Sequence, residues 1–329
     1  MGIFAEEIVT TDKLGRRTGP RTQHTIVEKL RIVQETRARG SSVATVVLRG
    51  RNDGLVYTCA SFCRRSIVKT ENRGLKAAMP QRVLITAGAS GIGFEFVRAF
   101  AAAGAKVFTC DINADALHGL KDVCEVDTVV CDISSRDQIE VMVAHAVTKL
   151  GGIDVLINNA GIGGPTAPVQ DMDPDEWDKV LRVDLTGPFN VTRNAIPHLI
   201  ASGNGVIINI SSAAGRLGYP NRSPYAAAKW GLIGFTKTLS MELGKHNIRV
   251  NAIAPGAVNG DRIERVFEGR AKATGQSIED VRRIEMANQS IKRLIDPRDI
   301  AALAVFLASD AAKSISGQVL PIDGDLQRF

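Results

Sequence analysis

No apolar run in this 329-residue sequence approaches the roughly 20 residues that a membrane-spanning helix needs. The first residues carry Glu6, Glu7 and Asp12 where a signal peptide has a basic stretch followed by an apolar one. The expectation is a cytoplasmic protein with no membrane partner. Cysteine is scarce and odd in number. The five, at 59, 63, 110, 124 and 131, have the spacing of neither a zinc site nor a disulfide framework, which points to a reducing compartment. Cys59 and Cys63 stand one helical turn apart, but no second pair completes a site, and the five histidines are scattered. No metal is expected. Internal repeats and low-complexity tracts are also missing.

An excess of positive charge is present, but it is local. The net charge is +6, yet residues 1–79 hold 15 Lys and Arg against 7 Asp and Glu, whereas residues 80–329 hold 26 against 28. Nucleic acid is therefore not an expected partner of the larger part. Residues 64–79 carry five basic side chains against one acidic and read as a linker or strap, which places a domain boundary near Met79.

From residue 80 onward, short β-branched runs alternate with longer helical patterns, the signature of a parallel sheet with helices on both faces. Seven strands are predicted, at 82–86, 106–111, 128–132, 155–158, 206–210, 249–253 and 318–322. Most are continuous apolar runs, as befits strands covered on both sides. Right-handed crossovers stack such units into a doubly wound α/β fold, whose ligand crevice lies beyond the carboxyl ends of the strands.

Two of those strand ends carry a dinucleotide signature. The first strand runs into Thr86-Ala87-Gly88-Ala89-Ser90-Gly91-Ile92-Gly93 and then into a helical pattern. Glycines let the backbone turn and approach a pyrophosphate, whose charge is met by helix N-terminal amides. The second strand ends in Asp111, 18 residues after Gly93, where a carboxylate accepts hydrogen bonds from ribose hydroxyls and repels a 2′-phosphate. NAD is expected over NADP. Asn113 is the better-placed cap for the helix that follows.

The fifth strand leads into Ser211-Ser212, and thirteen residues after Ser212 comes Tyr225-Ala226-Ala227-Ala228-Lys229. At i and i+4 the phenol and the ammonium share a helix face, and a cation beside a phenol favours phenolate. Tyr225 is thus a candidate acid and base, and Ser212 a hydrogen-bond donor to the substrate oxygen.

Together with Cys131-Asp132-Ile133, Asn158-Asn159-Ala160-Gly161, Pro255-Gly256, Ser316-Gly317-Gln318 and Asp323-Gly324, these motifs stand in the order found in the compact short-chain dehydrogenase/reductase family. The sequence resembles that family over residues 80–329. The resemblance implies a seven-stranded Rossmann fold and hydride transfer between a nicotinamide and an alcohol or carbonyl carbon, with Tyr225 moving the proton. It implies that Asp132 and Ile133 flank the adenine, that Asn159 and Ala160 line the cofactor near its adenosine ribose, and that Lys229 also binds the nicotinamide ribose. Pro255, Gly256 and Val258 would face the carboxamide. A homodimer or homotetramer is implied as well.

Three positions depart from the family pattern. Ala87 stands where a glycine usually follows the strand, which shifts the first glycine to Gly88 and alters the turn. Asp184 replaces a catalytic Asn, and Gly260 replaces a Thr that contacts the carboxamide. If the Asp184 carboxylate approaches Lys229, it offsets the pull of the ammonium on Tyr225. Residues 261–295 are charged and helical in pattern, in the place of a mobile substrate lid. Arg262, Arg265 and Arg270 there could meet an acidic substrate, but Glu264, Glu268, Glu279 and Asp280 are interleaved.

Residues 1–79 read as a basic extension, helical or disordered, within which residues 21–65 resemble over a short stretch the N-terminal helix-turn-helix of insertion-sequence transposases, here vestigial. The function that follows is an oxidoreductase of secondary alcohols or ketones (a sugar, polyol or cyclic alcohol), with a 3-oxoacyl thioester reductase second. A DNA-associated redox-sensing regulator is the alternative from another class, disfavoured by the intact Ser212, Tyr225 and Lys229.

Overall fold

A computed structural model describes residues 80–327. The helix-turn-helix likeness at 21–65, and Cys59 with Cys63, lie outside the described residues. Seven strands form one sheet: β1 (Arg82–Thr86), β2 (Lys106–Asp111), β3 (Asp127–Val130), β4 (Val155–Asn158), β5 (Val206–Ile210), β6 (Arg249–Pro255) and β7 (Val319–Ile322). Their order is β3-β2-β1-β4-β5-β6-β7, every pairing parallel. The order reverses between β1 and β4, and a crevice opens beyond the carboxyl ends of strands at such a switch point.

Along the central strands alternate residues enter two separate cores. Leu84, Leu156 and Ile207 pack with Ile139 and Met142 of α3 (Arg136–Leu150), Val191 and Leu199 of α5 (Gly187–Ser202), and Leu239 of α6 (Ser223–Leu243). Val83, Ile85, Ile157 and Ile208 pack with Phe96, Val97 and Phe100 of α1 (Gly91–Ala102) and with Ile300, Ala304 and Leu307 of α9 (Pro297–Ala308). The remaining helices are α2 (Ala114–Lys121), α4 (Pro174–Leu181), α7 (Asp261–Thr274) and α8 (Ile278–Ala287). Among the described residues no helix is long and apolar enough to cross a membrane.

Four of the predicted strands coincide with the observed ones, and three differ at their ends. β3 stops at Val130 because Asp132 leaves the sheet: its Oδ1 accepts from Ser134 N at 2.8 Å, while its own N–H donates to Gln138 Oε1 at 2.8 Å. β7 begins one residue later than expected, and β6 runs two residues further, Ala254 and Pro255 pairing with Pro321 and Ile322.

A buried polar row crosses the middle of the sheet. Asn158 of β4 donates to Asn209 Oδ1 of β5 at 2.8 Å and to Thr192 Oγ1 at 3.0 Å, and Asn209 in turn donates to Thr236 Oγ1 at 2.8 Å.

The turn after β1 departs from expectation. Ala87 itself takes the left-handed backbone conformation, with φ of 54°. The turn is therefore not shifted to Gly88; the alanine adopts the conformation that a glycine would take without penalty. That conformation costs a non-glycine residue about 1–2 kcal/mol. Ala87→Gly relieves it at the cost of added freedom in the unfolded chain, so the expected net gain is about 0.5–1 kcal/mol. Thermal or urea unfolding of the two proteins checks this.

Candidate active site

The glycine loop is shaped for close packing. A Cβ at Gly93 would fall 1.9 Å from Ala87 O and 2.7 Å from Asn159 Nδ2, and one at Gly88 would fall 2.0 Å from Thr109 Oγ1. Neither position tolerates a side chain. Gly91, φ 54°, meets nothing within 4 Å, so its backbone is open. Ser90 precedes α1 without capping it, which leaves the leading amides of that helix for an anion. Asp111, at the tip of β2, accepts from Ala89 N at 3.2 Å and Asn113 N at 3.1 Å, so its carboxylate is anchored beside the loop. Asn113 does cap α2, accepting from Ala116 N at 3.0 Å.

These features fit a dinucleotide: a loop with no room for side chains, an uncapped helix start, and a fixed carboxylate one strand away. Asn159 braces this loop, donating to Thr86 O at 3.0 Å and Ala87 O at 2.9 Å, while Ala160 and Ile133 are buried. The side-chain amide of Asn159 is therefore committed to the protein. Gly256 packs against Asp323, and Val258 bridges to Ile295, which fixes the loop after β6. Gly260 has φ of 138°, a conformation that explains why a threonine does not stand there.

On the other side of β5 the helical path from α4 to α5 is interrupted by one π-turn, Arg182–Thr186, which carries Asp184. Such turns displace a side chain from its regular helical direction and frequent functional sites. Asp184 is fully buried. Its Oδ1 accepts from Ile162 N at 2.7 Å, and its Oδ2 faces Lys229 Nζ at 3.2 Å, an ion pair without the alignment of a hydrogen bond. Lys229, 4% exposed, also donates to Ile210 O at 3.2 Å. Its ammonium lies 5.6 Å from the centre of the Tyr225 ring. The condition posed from the sequence, an approach of Asp184 to Lys229, is thus met.

Ser212 stands at the end of β5 and starts a short turn, its Oγ accepting from Ala214 N at 3.1 Å. Ser211, which sequence reasoning did not single out, locks this turn to α6 through Oγ to Lys229 O at 3.0 Å.

The surroundings of the Tyr225 ring are basic. The guanidinium of Arg222 lies 5.4 Å from its ring centre and that of Arg262 5.8 Å, while Arg270 lies 4.7 Å from the ring of Tyr219. Arg270 is paired with Glu285 at 2.7 Å. Burial pulls the Arg222 guanidinium below the usual arginine range, and burial also raises the Tyr219 phenol, against the opposing pull of Arg270 and Arg222. Arg262 and Arg270 were candidates from sequence; Arg265 is exposed and outside this cluster of ring contacts. Arg222 was missed. The available signal was a cation immediately before a helix, where the positive end of the helix disfavours it.

The sequence profile described as enoyl-(acyl carrier protein) reductase matches residues 86–326. The chain is 42% identical over 248 residues to a 3-oxoacyl-[acyl-carrier-protein] reductase of Thermotoga maritima, covering 74% of this chain and 96% of that protein. Among solved structures, an NAD+-bound xylitol dehydrogenase matches with TM-score 0.71 and 32% identity over 74% of this chain and 97% of its own. An actinorhodin polyketide ketoreductase with NADPH matches with TM-score 0.71 and 32% identity over 76% and 98%. The chain belongs to the short-chain dehydrogenase/reductase family, whose members are oxidoreductases of hydroxyl and carbonyl groups.

Proposed function

We propose that the chain is an NAD(H)-dependent dehydrogenase and reductase of secondary alcohols and ketones, with Tyr225 as its general acid and base. The observation that carries this reading is the buried Lys229 ammonium, held by Asp184 and Ile210 O one helical turn from Tyr225. When bound, the nicotinamide supplies or accepts the hydride. Gly88, Ser90, Gly91, Ile92 and Gly93 would cradle the pyrophosphate, Asp111 the adenosine ribose, and Asp132, Ile133, Asn159 and Ala160 the walls beside it. Pro255, Gly256 and Val258 would border the nicotinamide.

In reduction Ser212 holds the carbonyl oxygen and Tyr225 gives it a proton; in oxidation Tyr225 takes the alcohol proton. Lys229 stabilises the phenolate left behind, and Asp184 holds the ammonium in place. Phe189, Trp230 and Met241 expose 46%, 51% and 84% of their surface on α5 and α6, which supports assembly into a homo-oligomer.

The preference for NAD rests on Asp111. Fluorescence titration is expected to show tighter binding of NADH than of NADPH by at least about tenfold, a charge repulsion of roughly 1.4 kcal/mol. Asp111→Ala should close that gap by weakening NADH and strengthening NADPH. Equal affinities in the parent protein would remove the NAD assignment. Turnover should be sought on sugars, polyols, cyclic alcohols and a 3-oxoacyl thioester. The thioester reading is favoured by the Thermotoga maritima relative and gains if that substrate alone is reduced.

A further inference from the structure

We propose that the substrate bears a carboxylate a few bonds from its reacting carbon, held by Arg222 and Arg262. This rests on Tyr225 being the proton-transfer group. Arg222 is 3% exposed, yet its Nε has no partner, and its Nη2 donates to the carbonyl oxygen of Gly163. Arg262 reaches over from α7 to donate to Gly161 O at 3.3 Å. Both guanidinium carbons lie within 6 Å of the Tyr225 ring centre.

Neither arginine has a carboxylate in ion-pair range among the described residues, whereas Arg270 and Arg282 nearby are paired with Glu285 and Glu264. On α7 and α8, Arg270, Arg282 and Arg283 are each neutralised by a carboxylate, whereas Arg262, which is exposed but reaches Tyr225, is not. Arg222 is the residue just before α6, so the positive end of that helix adds to its charge. Two guanidiniums and a helix start around one phenol leave an excess of positive charge in a partly dry site, which an uncharged polyol would not offset. A carboxylate matches it in charge, and its two oxygens match the planar donor fork of arginine.

The test uses the full chain and the 2-, 3- and 4-hydroxycyclohexanecarboxylates, each beside its carboxamide, in steady-state oxidation. Hydrogen bonds to a charged group correspond to roughly 10- to 150-fold. At least one acid is expected to exceed its amide by tenfold or more in kcat/KM. Arg222→Met and Arg262→Met should bring that ratio towards one, and Arg222→Lys should restore part of it. A ratio within twofold of one for all three pairs overturns the proposal. So does a ratio that survives in both methionine variants while NADH affinity falls, since the arginines would then serve the cofactor.

Calorimetry of cyclohexanecarboxylate against cyclohexanecarboxamide on the NADH-loaded protein makes the same comparison without turnover, and equal affinities overturn the proposal there. Loss of this inference alone shows as turnover of acids and amides alike. Failure of both NADH binding and all turnover sinks the enzymatic reading beneath it as well.

Discussion

Tyr225→Phe is expected to lower kcat by roughly 10²–10⁴-fold while leaving NADH affinity within about threefold of the parent. The substitution removes one oxygen from a half-buried ring whose neighbours, Lys229, Arg222 and Tyr219, pack on its face at 5.4–6.4 Å between ring or charge centres. Packing is therefore retained and only the proton path is lost. Steady-state rates on whichever alcohol is turned over best, beside a coenzyme fluorescence titration, separate the two effects. Full turnover in the phenylalanine variant would remove Tyr225 from the chemistry.

The largest stability effect is expected at Lys229. Lys229→Met leaves Asp184 with Ile162 N as its hydrogen-bond donor and no counter-charge, in a position with no solvent exposure. Stranding one partner of a buried ion pair costs about 3–5 kcal/mol. Each kcal/mol is worth about 2–4 °C in a domain of this size, so the melting temperature should fall by on the order of 10 °C. Adding Asp184→Asn to Lys229→Met should recover much of the stability and none of the activity, which separates the structural role of the pair from its catalytic one.

How much of this could be read in the sequence depended on whether the signal was local. The seven strands were legible because parallel strands covered on both faces are apolar throughout, and only strand ends were misplaced, such as the turn at Asp132 and the extension of β6 through Ala254 and Pro255. The glycine loop, Asp111, Ser212, Tyr225 and Lys229 were legible because spacing along one strand end or one helix fixes them. The conformation of Ala87 was not, since nothing in its side chain announces a positive φ. Arg222, three residues before Tyr225, was equally hidden: its meaning arises from Arg262 and Gly163, which only the folded chain brings beside it. The π-turn beneath Asp184 likewise has no periodic signature over five residues.

The asparagine row across β4 and β5 has a consequence for how the two halves of the site stay level. Strands that are oily on both faces can slide past one another by one step without exposing a mismatched pattern. Asn158 and Asn209 are direct neighbours across the ladder, and a slip of one place would strand both amides in a dry interior. The pair acts as a ratchet tooth that sets the height of the Gly161 loop against that of Ser212. Upper loops can then be exchanged for new substrates while the hydroxyl and the ammonium keep their common level.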